Sequence, residues 1–249
     1  MRLERLAGIH HDSSCIVVSG SESTVIIDSG TSWYQSNLVE RLNPHLEGRA
    51  PLAAILLTHR HFDSCGAAPH LAQYFDTKIK VHEDAVAPLA GGDLFTTWAS
   101  RYDSDMPPID AEGFSEGEEI SLGDVTLSVL HTPGHTMDAR CFHIQEKDAV
   151  ICGDLVPAAG HPSRADMPTG NLIQMKEPGE GPEIVSKTLG LWERGSHLRF
   201  GCLRRGSQET HRIGRPPNRE RRKIAERLAQ AGRNLPLVDA RTPMVIPMN

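Results

Sequence analysis

The residues best equipped for chemistry in this chain are His59, His61 and Asp63, in the run Leu57-Thr58-His59-Arg60-His61-Phe62-Asp63-Ser64-Cys65-Gly66. Two imidazoles one residue apart in extended backbone project to the same side, so their ring nitrogens can approach a single cation at roughly 2.0–2.1 Å. Asp63 stands just beyond them, close enough to take part. A second run, His131-Thr132-Pro133-Gly134-His135-Thr136, puts a Pro-Gly turn before His135, and such a turn can throw that imidazole back across a sheet edge. Three histidines and a water complete a tetrahedral catalytic metal site. Ile151-Cys152-Gly153-Asp154 ends in a carboxylate that either ligates or bridges metal, or orients a ligating imidazole as a hydrogen-bond acceptor.

The elements that must carry these residues can be read from apolar patterning. Short β-like runs at Cys15 to Val18 and Thr24 to Ile27 open the chain, the second ending in the turn signal Asp28-Ser29-Gly30, and an antiparallel start follows. A helix is expected from Trp33 to Leu42. Ala53 to Leu57 is continuously apolar, reads as a buried strand, and stops where Thr58-His59 begins. Beyond it the pattern predicts a helix at Ala67 to Tyr74, a strand at Lys78 to Val81, an irregular section through Pro108, and strands at Glu119 to Leu122, Val125 to His131, Arg140 to Gln145 and Ala149 to Cys152. All three chemical segments thus lie at strand ends. The Gly- and Pro-rich stretch from Leu155 to Gly181 reads as a long loop or lid. Helices follow at Pro182 to Trp192 and at Asn218 to Ala231, the latter with Asn218 as N-cap and Gly232 near its end. Strands mixed with helices in both halves predict an α+β fold, a layered αβ/βα sandwich in which loops at one edge of two packed sheets converge on a site.

Composition sets the frame. With 249 residues and 39% hydrophobic content the chain can bury a sizeable core, and one domain spanning 1–249 is expected. No apolar run is long enough to span a bilayer, and the first twenty residues lack the unbroken apolar stretch of a signal peptide. Five cysteines, Cys15, Cys65, Cys141, Cys152 and Cys202, are an odd number without paired spacing, which points to a reducing cytoplasm and to small buried hydrophobes rather than a disulfide framework. The net charge of −6 is uneven: residues 187–233 hold 13 of the 26 Lys and Arg and only four acids, so this basic segment is +9 and the remainder −15. A solvated arginine-rich helix face accounts for it, and a small-molecule substrate is expected rather than nucleic acid or membrane.

Together these motifs resemble the metallo-β-lactamase superfamily over roughly residues 13–195. The resemblance implies a four-layer αβ/βα sandwich, a first metal position built from His59, His61 and His135, and Asp63 and Asp154 at or beside a second. Arg164-Ala165-Asp166-Met167-Pro168 is similar to the Arg-x-Asp-Leu-Pro stretch of glyoxalase II-like members, with His161 just before it. Two departures stand out. Ser64 occupies the place of the family's histidine after the aspartate, and Cys202-Leu203-Arg204-Arg205-Gly206-Ser207 stands where a Pro-Gly-His-Gly turn is expected, with His197 and His211 near but off the motif. The second position is therefore depleted of imidazole, and the divergent basic segment begins at about residue 195. One zinc per chain is the expectation, with Fe2+ as the alternative.

The chemistry so implied is hydrolysis of a small ester, thioester or lactone, with Asp63 orienting or deprotonating the attacking water and the 155–181 loop excluding bulk water. A non-haem iron enzyme, similar to the persulfide dioxygenases of this fold and using two histidines plus Asp154, is the first competitor. A nuclease and a non-catalytic degenerate scaffold are the others. His131 reads as a supporting residue; His10, His11, His45, His70, His82 and His143 belong to no motif, and Cys65 is expected to start a helix facing the core.

Overall fold

The computed structural model describes residues 1–115, 117–147, 149–155 and 163–176. They build two packed sheets. In the first, β1 (Arg2–Leu6), β2 (Cys15–Ser19) and β3 (Thr24–Ile27) form an antiparallel meander, and β4 (Leu52–Leu56), β5 (Lys78–His82) and β6 (Glu112–Phe114) extend it in parallel, in the order β1-β2-β3-β4-β5-β6. The switch has a physical cause: parallel neighbours need a crossover, and α1 (Gln35–Leu46), α2 (Phe62–Cys65) with α3 (Ala68–Phe75), and α4 (Glu83–Ala90) supply them. The second sheet is antiparallel, β7 (Glu119–Ser121), β8 (Thr126–His131), β9 (Arg140–Ile144) and β10 (Ala149–Ile151), in the order β10-β9-β8-β7.

Side-chain alternation divides the core in two. Along β3 and β4, Val25, Ile27, Ala54 and Leu56 face the second sheet and pack with Leu127, Val129, Phe142 and Ile151, whereas Ile26 and Ile55 face the helices and pack with Leu38, Leu42, Leu71 and Leu89. Helices, first sheet and second sheet are thus three layers of the αβ/βα sandwich. The helices expected at 182–192 and 218–231, the basic segment from 195, His161, His197, His211 and Cys202 lie outside the described residues. Among the described residues no helix is long and apolar enough to cross a membrane.

The strands expected from apolar patterning occur to within a residue or two, and four elements differ from expectation. The section after Val81 is not irregular throughout. Residues Glu83–Ala90 are helical despite Pro88, because the backbone N–H of Asp84 donates to Nδ1 of His82 at 3.0 Å and two acids sit in the first turn, where the helix dipole favours them. Strand β1 is charged along its length, as suits a sheet edge, so its sequence carries no apolar run to find. Strand β6 is only three residues long. Within the stretch expected to be a loop, Leu172–Lys176 form a short helix, α5.

Candidate metal centre

The parallel strand β4 delivers the first two histidines. Strand pairing ends at Leu56, and the chain leaves the sheet at its carboxyl edge through Leu57 and Thr58, where open α/β sheets gather their ligands. Thr58 is fixed by Asp28 at the equivalent end of β3: its N–H donates to Oδ1 at 2.8 Å and its hydroxyl lies 2.8 Å from Oδ2. The same hydroxyl lies 3.0 Å from Nδ1 of His59, so the chain Asp28–Thr58–His59 holds that ring by one nitrogen and leaves Nε2 buried without a partner. Burial, with smaller contributions from the Asp154 and Asp63 charges, pushes Asp28 up to about 8 against its Thr58 hydrogen bonds.

The third histidine comes from the other sheet. After β8 the chain turns through Pro133 and Gly134, and the N–H of Gly134 donates to the Thr136 carbonyl. His135 Nδ1 donates to the Arg164 carbonyl at 2.9 Å, which fixes the tautomer and leaves Nε2 as a lone pair 3.1 Å from Nδ1 of His61. The ligating atoms of His59, His61 and His135 all lie within 4.8 Å of one another, and all three residues are buried. Burial above all, then the neighbouring imidazoles, lowers His59 and His61 well below the usual histidine range, and burial lowers His135 against the opposing Asp154 charge.

These residues fit a divalent cation. Three neutral imidazoles converge, two of them, His59 and His61, with a buried Nε2 that makes no hydrogen bond, and a cation is the partner such a set of lone pairs can share. Among the described residues it is the one cluster of three or more histidine, cysteine or carboxylate side chains so arranged.

The carboxylates are less alike than the sequence suggests. Asp63, in the first turn of α2, is partly buried: Oδ2 accepts the Tyr102 hydroxyl at 3.0 Å, and Oδ1, shut off from solvent, has no partner. Burial and the Asp154 charge push it up to about 7, against the Tyr102 hydrogen bond. Asp154 is 41% exposed, with Oδ2 at 3.7 Å from His135 Nε2. Ser64 is buried with its hydroxyl unpartnered. Cys65 faces the helix-side core and its Sγ donates to the Arg60 carbonyl. His131 Nε2 donates to the Met137 carbonyl at 2.9 Å while its ring lies against His82, a supporting position.

Sequence reasoning missed Tyr102, Asp28 and Trp98. Trp98 lies against the His61 ring at 5.8 Å between centroids and under the Arg164 guanidinium, with its backbone in the left-handed region at φ 60°. Asp28 shares that conformation at φ 59°, one of six non-glycine residues among those described that do. The turn signal Asp28-Ser29-Gly30 was visible, but its hydrogen bonds to Thr58 were not.

Gly153 shows how closely the site is built. Its φ is 51°, and a Cβ there would stand 2.5 Å from Thr58 Oγ1 and 2.8 Å from Thr58 Cβ. Gly153→Ala should therefore shift Thr58 or Asp154, lowering stability by about 1–3 kcal/mol and metal affinity by about tenfold. Thermal melting and competition with a chelator measure the two effects, and an unchanged metal affinity would detach Gly153 from the centre.

Comparison with known proteins places the chain. The metallo-beta-lactamase superfamily profile matches residues 9–210. A probable metallo-hydrolase of Methanocaldococcus jannaschii is 31% identical over 173 residues, 69% of this chain and 80% of that protein. The human acyl-coenzyme A thioesterase MBLAC2 is 30% identical over 164 residues, 56% of this chain and 57% of that protein. Of solved structures, the B3 metallo-beta-lactamase BLEG-1 superposes with a TM-score of 0.58 at 22% identity, covering 70% of this chain and 81% of that one, a likeness of fold. TTHA1623, solved in a di-iron-bound form, superposes with a TM-score of 0.54 at 28% identity, covering 66% and 77%. With the profile spanning most of its length, the chain belongs to the metallo-beta-lactamase superfamily and is a hydrolase of its metal-dependent kind.

Proposed function

We propose that this hydrolase cleaves a small thioester, using one divalent metal ion held by His59, His61 and His135 with Asp154 beside it and Asp63 as the proton-handling carboxylate. The observation that carries the reading is the convergence of three buried imidazoles whose candidate ligand atoms all lie within 4.8 Å of one another. The choice of thioester over other esters and lactones leans on the human thioesterase relative.

When bound, the metal supplies Lewis acidity toward the substrate carbonyl and makes water acidic enough to attack near neutral pH. The protein does the rest by position. Thr58 and the Arg164 carbonyl each occupy one nitrogen of a histidine, so the other nitrogen of each faces inward as a lone pair. Tyr102 holds one oxygen of Asp63, leaving Oδ1 to take the proton of the attacking water and to return it to the leaving group. Trp98 forms an apolar wall beside His61.

Tyr102 is a positioning residue in this scheme. Tyr102→Phe should retain metal and KM and lower kcat about tenfold, because a hydrogen bond to a carboxylate of about 1.5–3 kcal/mol is lost while binding surface is kept. A changed metal content with unchanged kcat would reverse that assignment.

The direct test is metal analysis by plasma mass spectrometry on protein purified without added metal, followed by assay against acyl-coenzyme A thioesters, lactones and simple esters. One zinc per chain with thioester turnover supports the proposal. Turnover of lactones alone would reject the substrate class. The di-iron form of TTHA1623 favours a second reading in which iron occupies the site; stoichiometric iron without thioester hydrolysis would establish that reading and overturn the first.

A further inference from the structure

Two cysteines that play no part in the proposed chemistry stand side by side on the second sheet. Strands β9 and β10 pair antiparallel, with Ala149 opposite Ile144, Val150 opposite His143 and Ile151 opposite Phe142. The next step of this register sets Cys152 opposite Cys141. Alternation puts both side chains on one face: Phe142 and Ile151 point into the core between the sheets, so Cys141 and Cys152 point away from it. Directly opposed residues of an antiparallel pair have Cα atoms about 4.5 or 5.5 Å apart, both within the roughly 4.4–6.8 Å that a disulfide bridges. Thr132 Oγ1 lies 3.3 Å from the Cys141 sulfur, and the Cys152 sulfur donates to the Val150 carbonyl at 3.7 Å. Both thiols are free. Cys141 is fully buried, whereas Cys152 is partly exposed at the strand end, which makes Cys152 the more accessible residue of the two.

We propose that Cys141 and Cys152 form a reversible oxidation site for small hydroperoxides, with Cys152 the attacking and Cys141 the resolving thiol. Cys152 sulfur attacks the terminal peroxide oxygen, the O–O bond breaks, and an alcohol or water leaves with the thiol proton, giving a sulfenic acid. Cys141 sulfur then displaces the hydroxyl as water, and the S–S bond forms. Two thiols have lost two electrons and two protons, and one hydroperoxide has been reduced. The bond lies one residue before Gly153 and two before Asp154, so it ties the strand end that presents this carboxylate toward His135.

The test is peptide mapping of the full chain after hydrogen peroxide. Trypsin cuts after Arg140, Lys147 and Arg164, separating Cys141 on one peptide from Cys152 on the next. After remaining thiols are blocked in denaturant, the expected principal product is the Cys141–Cys152 linked pair, lost on treatment with dithiothreitol. In Cys141→Ser, dimedone should instead trap the sulfenic acid at Cys152. The proposal is overturned if both thiols of the wild-type chain stay alkylatable, if Cys152 passes to sulfinic acid without linking, or if it links to a different cysteine.

Discussion

His135→Ala is expected to abolish metal binding and activity together. The side chain is 3% exposed, its Nε2 lies 3.1 Å from Nδ1 of His61, and it is the sole histidine of the cluster contributed by the second sheet. Without it two imidazoles remain, a set too small to hold a catalytic cation against water. Metal content after dialysis should fall from one equivalent to a trace, and kcat/KM by about a thousandfold or more, equivalent to about 4 kcal/mol of transition-state stabilisation. Urea unfolding of the metal-free wild type and variant separates this from loss of the fold, since removing the ring from unoccupied protein leaves the two cores intact. Stoichiometric metal in the variant would overturn the ligand assignment.

Asp138→Ala should produce the largest loss of stability of any single truncation proposed for this chain. Arg60, between the two ligating histidines, donates through Nε to Asp138 Oδ1 at 2.8 Å and through Nη2 to the Asp84 carbonyl at 2.9 Å. Both ends of the pair are out of water, at 5% and 0% side-chain exposure. Removing the carboxylate leaves a buried guanidinium with the Asp84 carbonyl but without its counter-charge, a change that costs about 3–5 kcal/mol where a domain has only about 5–15 in total. The midpoint of urea unfolding should fall accordingly. The double variant Arg60→Met with Asp138→Leu should recover most of the loss, because it removes both charges at once. A single variant within about 0.5 kcal/mol of wild type would mean that the pair is solvated in solution.

What the sequence made legible and what it hid follow from the range of the interactions. His59 and His61 could be read because two-residue spacing at the end of an apolar strand fixes geometry locally. His135 could be read because a Pro-Gly turn announces a reversal. Tyr102 could not, since it meets Asp63 across 39 residues and belongs to no pattern, and neither could the Arg60–Asp138 pair, separated by 78. The buried strands β3 and β4 stood out through continuous apolar character, whereas β1, charged at the sheet edge, and α4, interrupted by Pro88 but capped by His82, depend on partners that local propensity does not encode. Cys65, expected to face the core, does so in the helix-side cluster through the turn of α2.

Because His59 and His61 ride on one sheet and His135 on the other, the angle between the sheets is a tuning parameter of the coordination sphere. Val25, Leu56 and Phe142 pack in the core between the sheets, and none of them is a candidate ligand. Metal–ligand distances tolerate changes of only about 0.2 Å, so a methyl group gained or lost in this layer is expected to lower metal affinity without touching a candidate ligand.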